Sequence, residues 1–356
     1  MSFSVGIVGL PNVGKSTTFN ALLKKRQAQA SNFAFCTIEP NIGRVNVPDE
    51  RLEKLSEVSG SKKIIPTTIE FIDIAGIVAG AHKGEGLGNK FLSHIREVDA
   101  ILEVVRNFNN PDITHVAGKI DPLSDIETVN LELIMADLQT TQNRLFKLAK
   151  DVKSGDKKSL LEKNILEKIE QTLSQEKSIR DISFTEEELL LVKPYNFLTA
   201  KPLLYVINTD QAEQMTTNDK LTNFNHIAIN AQLEAEIAEL PEADQAEYKK
   251  ELGITETGLE KLITKSYQLL KLITYFTSGE PETRAWTVAQ NTLAPYAAGI
   301  IHTDFIKNFI RAEVIPWQNF VESCGWNKAK EKGLVRTEGK DYKIKDGDVC
   351  YFLINK

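Results

Sequence analysis

Apolar positions in this chain gather into short runs that stop at a glycine or a polar turn, with helical stretches between them. Phe3-Ser-Val-Gly-Ile-Val8 reads as a buried strand ending at Gly9, and Ser16 to Lys24 reads as the helix after it. Four more strands are predicted at Thr68–Asp73, Ala100–Arg106, Leu203–Ile207 and His226–Ile229. Strands alternating with helices predict the α/β class with a mostly parallel, doubly wound sheet, because parallel neighbours need a crossover long enough to hold a helix.

From about Ile126 to Lys193 the period changes. Leu131, Leu133, Leu138, Leu145 and Leu148, then Leu160, Leu161, Ile165, Ile169 and Leu173, mark polar helices with an apolar stripe. The turn signal Lys153-Ser-Gly-Asp-Lys-Lys158 predicts an antiparallel helical hairpin. A leucine stripe reports packing, so a scaffold and a partner-binding arm both stay open. Beyond Thr277-Ser-Gly-Glu-Pro281, the segments Asp341–Lys345 and Val349–Ile354 read as strands joined in a hairpin through Asp346-Gly347-Asp348. A small mixed domain of about 80 residues fits this part.

A length of 356 residues predicts two or three domains, at roughly 150 residues each. The contents of 42% hydrophobic and 26% charged residues are globular values. A net charge of −6 argues against a chain coated in nucleic acid or held on an anionic membrane, so any nucleic-acid contact needs a local patch. Cys36, Cys324 and Cys350 are too widely spaced for a disulfide framework or a zinc site, which predicts a reducing compartment. The first residues carry no basic leader, and no apolar run approaches the roughly 20 residues of a membrane span. A cytoplasmic protein with no membrane partner is expected.

Gly9-Leu-Pro-Asn-Val-Gly-Lys-Ser16 fits G-x-x-x-x-G-K-[ST] in the place that its mechanism requires, between a strand and a helix. The glycines let backbone N–H groups converge on phosphate oxygens, and the helix N-terminus adds its positive end. Lys15 reaches the β- and γ-phosphates, and the Ser16 hydroxyl suits Mg²⁺. Asp73-Ile-Ala-Gly76 fits the D-x-x-G element of nucleotide switches. Asp73 can hold Mg²⁺ directly or through water, and the Gly76 N–H can meet the γ-phosphate. In Phe35-Cys-Thr-Ile-Glu-Pro-Asn41, Thr37 is the hydroxyl that would complete Mg²⁺ coordination in a loop ordered by γ-phosphate. Cys36 beside it reads as a quiet thiol.

These motifs continue in GEGLGNKFL from Gly84, HVAGKIDPL from His115, YNFLTAKP from Tyr195, and RAW, IHTDF and EGKDY in the C-terminal part. Over essentially its whole length the sequence resembles the YchF family of Obg-related, translation-factor-class P-loop NTPases. The resemblance implies a P-loop G-type domain split into residues 1–125 and 196–277, an inserted α-helical coiled-coil hairpin at 126–195, and a C-terminal TGS domain of β-grasp fold at 278–356. It implies Mg²⁺-dependent hydrolysis of ATP, with GTP secondary, and association with ribosomes. A monomer that meets the large subunit, with RNA contact through the TGS domain, is the further expectation. On it, Asn12, Val13, Gly14, Lys15, Ser16 and Thr17 form the phosphate-binding segment, Ser16 and Thr37 are the Mg²⁺ ligands, and Thr209 lines the base pocket.

Many switch GTPases place a Gln just after D-x-x-G to orient the attacking water. Here the position is Ile77, which cannot hydrogen-bond water, so slow intrinsic turnover is expected. Lys15 is one catalytic candidate. His82, on the glycine-rich loop, is the other, as a donor or water orienter, against the plainer reading of a solvated loop histidine. Asn12 is placed as the asparagine that helps hold K⁺ in some related GTPases, where the ion supplies the charge otherwise given by an arginine finger.

The strand run LYVINTDQAE from Leu204 ends in Asn208-Thr-Asp-Gln211, where a guanine reader has Asn-Lys-x-Asp. A carboxylate accepts from both guanine N1–H and N2–H₂, whereas the Gln211 carbonyl can accept from adenine N6–H₂ and its NH₂ can donate to N1. An unpaired buried group costs about 1–3 kcal/mol, so ATP is expected over GTP. The family pattern has Glu at this place, and a weakened selectivity stays open. Asn208, Thr209, Gln211 and Ala231 are the base-pocket candidates. In the C-terminal part, Lys328, Lys330, Lys332, Arg336, Lys340, Lys343 and Lys345 lie close in sequence around Tyr342, either as an RNA-facing patch or as a solvated face. Two functions compete: an ATP-hydrolysing switch that controls ribosome binding, and a nucleotide-gated RNA- or protein-binding module in which hydrolysis is incidental.

Overall fold

The computed structural model describes residues 3–29, 41–74, 87–116, 118–153, 156–210, 221, 224–251 and 256–355. Through the first half the order is β1 (Ser4–Val8), α1 (Lys15–Gln29), β2 (Ile42–Asn46), α2 (Arg51–Ser59), β3 (Ile64–Ile65), β4 (Thr68–Asp73), α3 (Leu87–Glu97) and β5 (Ala100–Asn107). The helical segment is α4 (Pro122–Lys153), α5 (Lys157–Leu173) and α6 (Glu186–Val192), followed by β6 (Leu203–Thr209), β7 (His226–Ile229), α7 (Ala231–Glu239), α8 (Glu242–Glu251) and α9 (Gly258–Leu269). The chain continues through β8 (Leu272–Ser278), β9 (Thr283–Ala289), α10 (Ala294–Ile301), α11 (Asp304–Asn308) and β10 (Phe309–Pro316). It ends with α12 (Trp317–Glu322), α13 (Trp326–Glu331), β11 (Arg336–Glu338) and β12 (Asp348–Ile354).

Two compact units result. One holds Phe3–Gly43 and Glu70–Leu259, the other Arg44–Ile69 and Glu260–Lys356. The first is built on a sheet of order β2-β4-β1-β5-β6-β7, in which the pairs β4–β1, β1–β5, β5–β6 and β6–β7 are parallel. All seven residues of β6 are buried, as a parallel strand covered on both faces requires. The mostly parallel α/β sheet predicted from the strand and helix periods is therefore present.

In the helical segment, Ile134 and Leu148 of α4 pack with Ile165, Leu166, Ile169 and Leu173 of α5 around one apolar core. The Asp156 carboxylate caps α5 by accepting the Ser159 N–H. Asp137 of α4, wholly buried, accepts the Leu198 N–H (3.0 Å), the Thr199 N–H (2.8 Å) and the Thr199 hydroxyl (2.8 Å), which anchors the helix to the approach to β6.

The second unit has a sheet of order β11-β10-β12-β8-β9-β3. Tyr275, Phe309, Ala312, Val314 and Cys350 fill one of its cores, and Leu55, Phe276, Phe320 and Val349 another. The hairpin expected between Asp341–Lys345 and Val349–Ile354 is not formed. Lys345 N–H (2.9 Å) and the Tyr342 hydroxyl (2.7 Å) both donate to Asp348 Oδ2, while Asp346 Oδ1 accepts the Thr274 N–H (2.9 Å). These side-chain acceptors hold the segment as a turn, and β12 pairs with β10 antiparallel and with β8 parallel. A boundary at residue 277 would leave β8 with the nucleotide-binding part, whereas β8 joins this second sheet. Local periodicity marks a strand without marking the sheet that it enters. Among the described residues no helix is long and apolar enough to cross a membrane.

Candidate functional site

The turn from β1 into α1 is shaped by two glycines. Gly9 has φ +144° and Gly14 φ +101°, values that side chains rarely adopt. A Cβ on Gly9 would lie 2.4 Å from the Val104 carbonyl oxygen, and one on Gly14 would lie 2.3 Å from Asn208 Nδ2. Asn12 takes the left-handed region (φ +64°), which asparagine tolerates, and its Nδ2 donates to the Thr114 carbonyl (3.1 Å).

Lys15, at the first turn of α1, is buried and donates from Nζ to the Leu10 carbonyl (2.7 Å). Burial brings its pKa down to about 8, with the nearby Asp73 carboxylate opposing the shift. Ser16 Oγ donates to Asp73 Oδ2 (3.2 Å) from the carboxyl end of β4. Burial raises the Asp73 pKa, while the Ser16 hydrogen bond and the charge of Lys15 pull it back. A cation and two hard oxygens thus meet at the mouth of the turn.

A cavity of about 530 Å³ opens over these groups. Asn12, Gly14, Lys15, Ser16 and Thr17 line one side, and Asn208, Asp210, Ala231 and Gln232 line another. Asn208 joins them: Nδ2 donates to the Val13 carbonyl (3.0 Å), and Oδ1 accepts the Ala231 N–H (3.0 Å). Asp210 accepts the Asn109 N–H (3.0 Å). The remaining wall, Phe108, Asn109, Asn110 and Ile113, follows β5.

That wall is fixed from beneath by Arg106, almost wholly buried. Its guanidinium donates to the carbonyls of Phe108 (3.3 Å), Asn110 (3.2 Å) and Ile113 (3.0 Å) and lies 4.5 Å from the Phe108 ring centroid. Two residues beyond Ile113, buried His115 meets Asp125 in the first turn of α4 (Nε2···Oδ2 2.9 Å).

The structure therefore brings Asn12, Gly14, Lys15, Ser16, Thr17, Asn208 and Ala231 to one cavity, with Asp73 bonded to Ser16 and the Val13 carbonyl bonded to Asn208. Thr209 is buried in β6, off the cavity lining. Thr37, Gly76, Ile77, His82 and Gln211 lie outside the described residues. Sequence reasoning passed over Phe108, Asn109, Asn110, Ile113 and Gln232. The signal for the first four was their place just past the carboxyl end of a parallel strand, where α/β proteins put ligands.

A family model described as "50S ribosome-binding GTPase" matches residues 4–147. The model for the YchF-GTPase C-terminal domain, described as a protein of unknown function, matches residues 272–355. The chain is 50% identical over 366 residues to the ribosome-binding ATPase YchF of Bacillus subtilis, covering 100% of both proteins. It is 48% identical over 364 residues to the protein of the same name from Escherichia coli O157:H7, again over 100% of each. The solved structure of the Schizosaccharomyces pombe YchF GTPase matches with a TM-score of 0.85 at 34% identity, over 99% of this chain and 98% of that one. With about half of its residues shared from end to end with these bacterial proteins, and its fold matched over nearly the whole chain by the solved structure, the chain belongs to the YchF family.

Proposed function

We propose that this protein hydrolyses ATP, with GTP as a secondary substrate, and binds the ribosome in a nucleotide-dependent manner. The observation that carries the reading is the convergence of Lys15, the Ser16–Asp73 pair and the ends of β5, β6 and β7 on one cavity. Full-length relatives that share about half of its residues are ribosome-binding ATPases, which supports both parts of the reading.

In the proposed reaction the Lys15 ammonium leaves the Leu10 carbonyl for the β- and γ-phosphates, and the N–H groups of the Gly9–Gly14 turn and the first turn of α1 hold their oxygens. Asn208 keeps the phosphate turn and the Asn230–Ala231 turn at one separation, so triphosphate and base are positioned together. Phe108 offers the base a ring face. Gln211, read from the sequence, favours adenine. The donors at Ser16 and Asp73, a hydroxyl and a carboxylate 3.2 Å apart beside a cation, fit Mg²⁺, and Thr37 is the expected further ligand. When bound, Mg²⁺ offsets charge on the phosphate oxygens.

The deciding experiment measures ATP and GTP affinity in parallel, with and without ribosomes, for the wild type and Lys15→Met. Tighter ATP binding and ribosome co-sedimentation that changes with nucleotide are expected. Co-sedimentation identical with ATP, with GTP and with no nucleotide would overturn the proposal. Turnover unchanged in His82→Ala removes His82 from the mechanism, and a rate unchanged when Na⁺ replaces K⁺ removes the potassium role of Asn12.

A further inference from the structure

The far end of the α4–α5 pair combines an exposed aromatic ring with a concentration of positive charge. α4 runs 32 residues, about 48 Å at helical rise, and near its end Phe146 is 82% exposed, the highest value for a large hydrophobic residue among the described ones. The two helices follow each other with three residues between them and pack side by side, hence antiparallel, and the Arg144–Glu162 ion pair (2.8 Å) sets their register. Phe146 and Lys147 therefore stand level with Ser159 and Leu160, within a turn of Lys157 and Lys158. Lys147, Lys157, Lys158 and Leu160 are all exposed. Residues 142–164 contain seven Lys or Arg and three Asp or Glu, a net +4 in a chain of net −6, so the remaining chain carries −10.

We infer that this end of the hairpin is an RNA-contacting surface, on which Phe146 stacks against an unpaired base while Lys147, Lys157 and Lys158 hold backbone phosphates. A single exposed ring set among cations suits nucleic acid, where every base offers a π-face and every nucleotide a phosphate. A protein groove would present a broader apolar patch. The other basic run, Lys328–Lys345, is partly neutralised: Lys330 pairs with Glu313 (2.8 Å), and Arg336 lies 3.7 Å from Asp348 and 3.3 Å from Glu338. The inference rests on the proposed ribosome binding and supplies one of its contacts.

The test uses the full chain with ATP, co-sedimentation with ribosomes, and fluorescence anisotropy of a labelled single-stranded oligouridylate. Phe146→Ala is expected to weaken both interactions about tenfold and Phe146→Trp to restore them. Lys157→Ala/Lys158→Ala should weaken binding to the oligonucleotide and reduce its log–log salt slope by about 1.4. All these side chains are exposed, so ATP affinity and thermal unfolding should stay at wild-type values. Variants that bind like the wild type in both assays overturn the inference. So does loss of ribosome binding in the variants when the wild type ignores the oligonucleotide, which would assign the surface to a protein partner. A wild type that binds the oligonucleotide through Phe146 yet does not sediment with ribosomes upholds the RNA surface and overturns the ribosome reading instead.

Discussion

Asn208 Nδ2 donates to the Val13 carbonyl at 3.0 Å, so the end of β6 is hydrogen-bonded to the phosphate-binding turn. Its Oδ1 accepts the Ala231 N–H at the same distance. Asn208→Ala removes both bonds and leaves a buried carbonyl and a buried N–H without their partner, at about 1–3 kcal/mol each. A lower thermal midpoint and ATP binding weakened at least about tenfold are expected, read by calorimetry and nucleotide titration. ATP affinity at the wild-type value in Asn208→Ala would show that the bridge does not organise the site.

Lys15 makes the site sensitive to alkaline pH. Its folded pKa is about 8 against an ordinary 10.5, because burial disfavours the ammonium. Between those values the unfolded chain binds more protons, so this group makes stability rise as pH increases through the window. Phosphate binding has the opposite sign, since it needs the ammonium. ATP affinity is expected to fall as pH rises above about 8, with a proton taken up on binding, and Lys15→Met should bind weakly without that fall. Calorimetric titrations in buffers of different ionisation enthalpy on either side of pH 8 measure the uptake; wild-type affinity that stays level across this range contradicts it.

Gly14→Ala tests the turn itself. At φ +101°, with the new Cβ 2.3 Å from Asn208 Nδ2, the methyl group strains the backbone and displaces the bridging amide. Backbone strain of this kind costs about 1–3 kcal/mol, and nucleotide affinity is expected to drop at least about tenfold. Gly60→Ala is the control, because Gly60 also has positive φ (+59°) but the new methyl group would meet open space beyond its chain neighbours, so it should lose some stability and no ATP affinity. Equal affinities in the two variants would defeat the explanation.

The sequence disclosed what depends on local pattern. The strand His226–Ile229 was bounded to the residue, and Gly9–Ser16 was recognisable because every position serves one backbone geometry. What escaped depends on partners far along the chain or on a change of role. Arg106 follows two valines in a mostly apolar strand and looks like an ordinary strand residue until its guanidinium reaches three carbonyls of the loop ahead. Asp346 and Asp348 look like hairpin-turn residues; Asp348 instead accepts the Lys345 N–H that a hairpin ladder would have used, and Asp346 accepts the Thr274 N–H of β8. Asn208 reads from the sequence as a base-pocket residue alone, and its bridge from Val13 to Ala231 is visible only in the fold.

Arg106 and the His115–Asp125 pair lie on either side of the cavity wall, one gripping its carbonyls and the other fastening its far end to the first turn of α4. Pocket and helical arm are therefore opposite ends of one short clamped piece of chain. Work done in tilting the root of α4 is work done against the wall that a base would touch. Such a linkage is mutual: whatever factor a partner on the arm imposes on nucleotide affinity, the nucleotide imposes on the partner. A partner that held the arm would then meet pocket occupancy as a resistance at the root of α4.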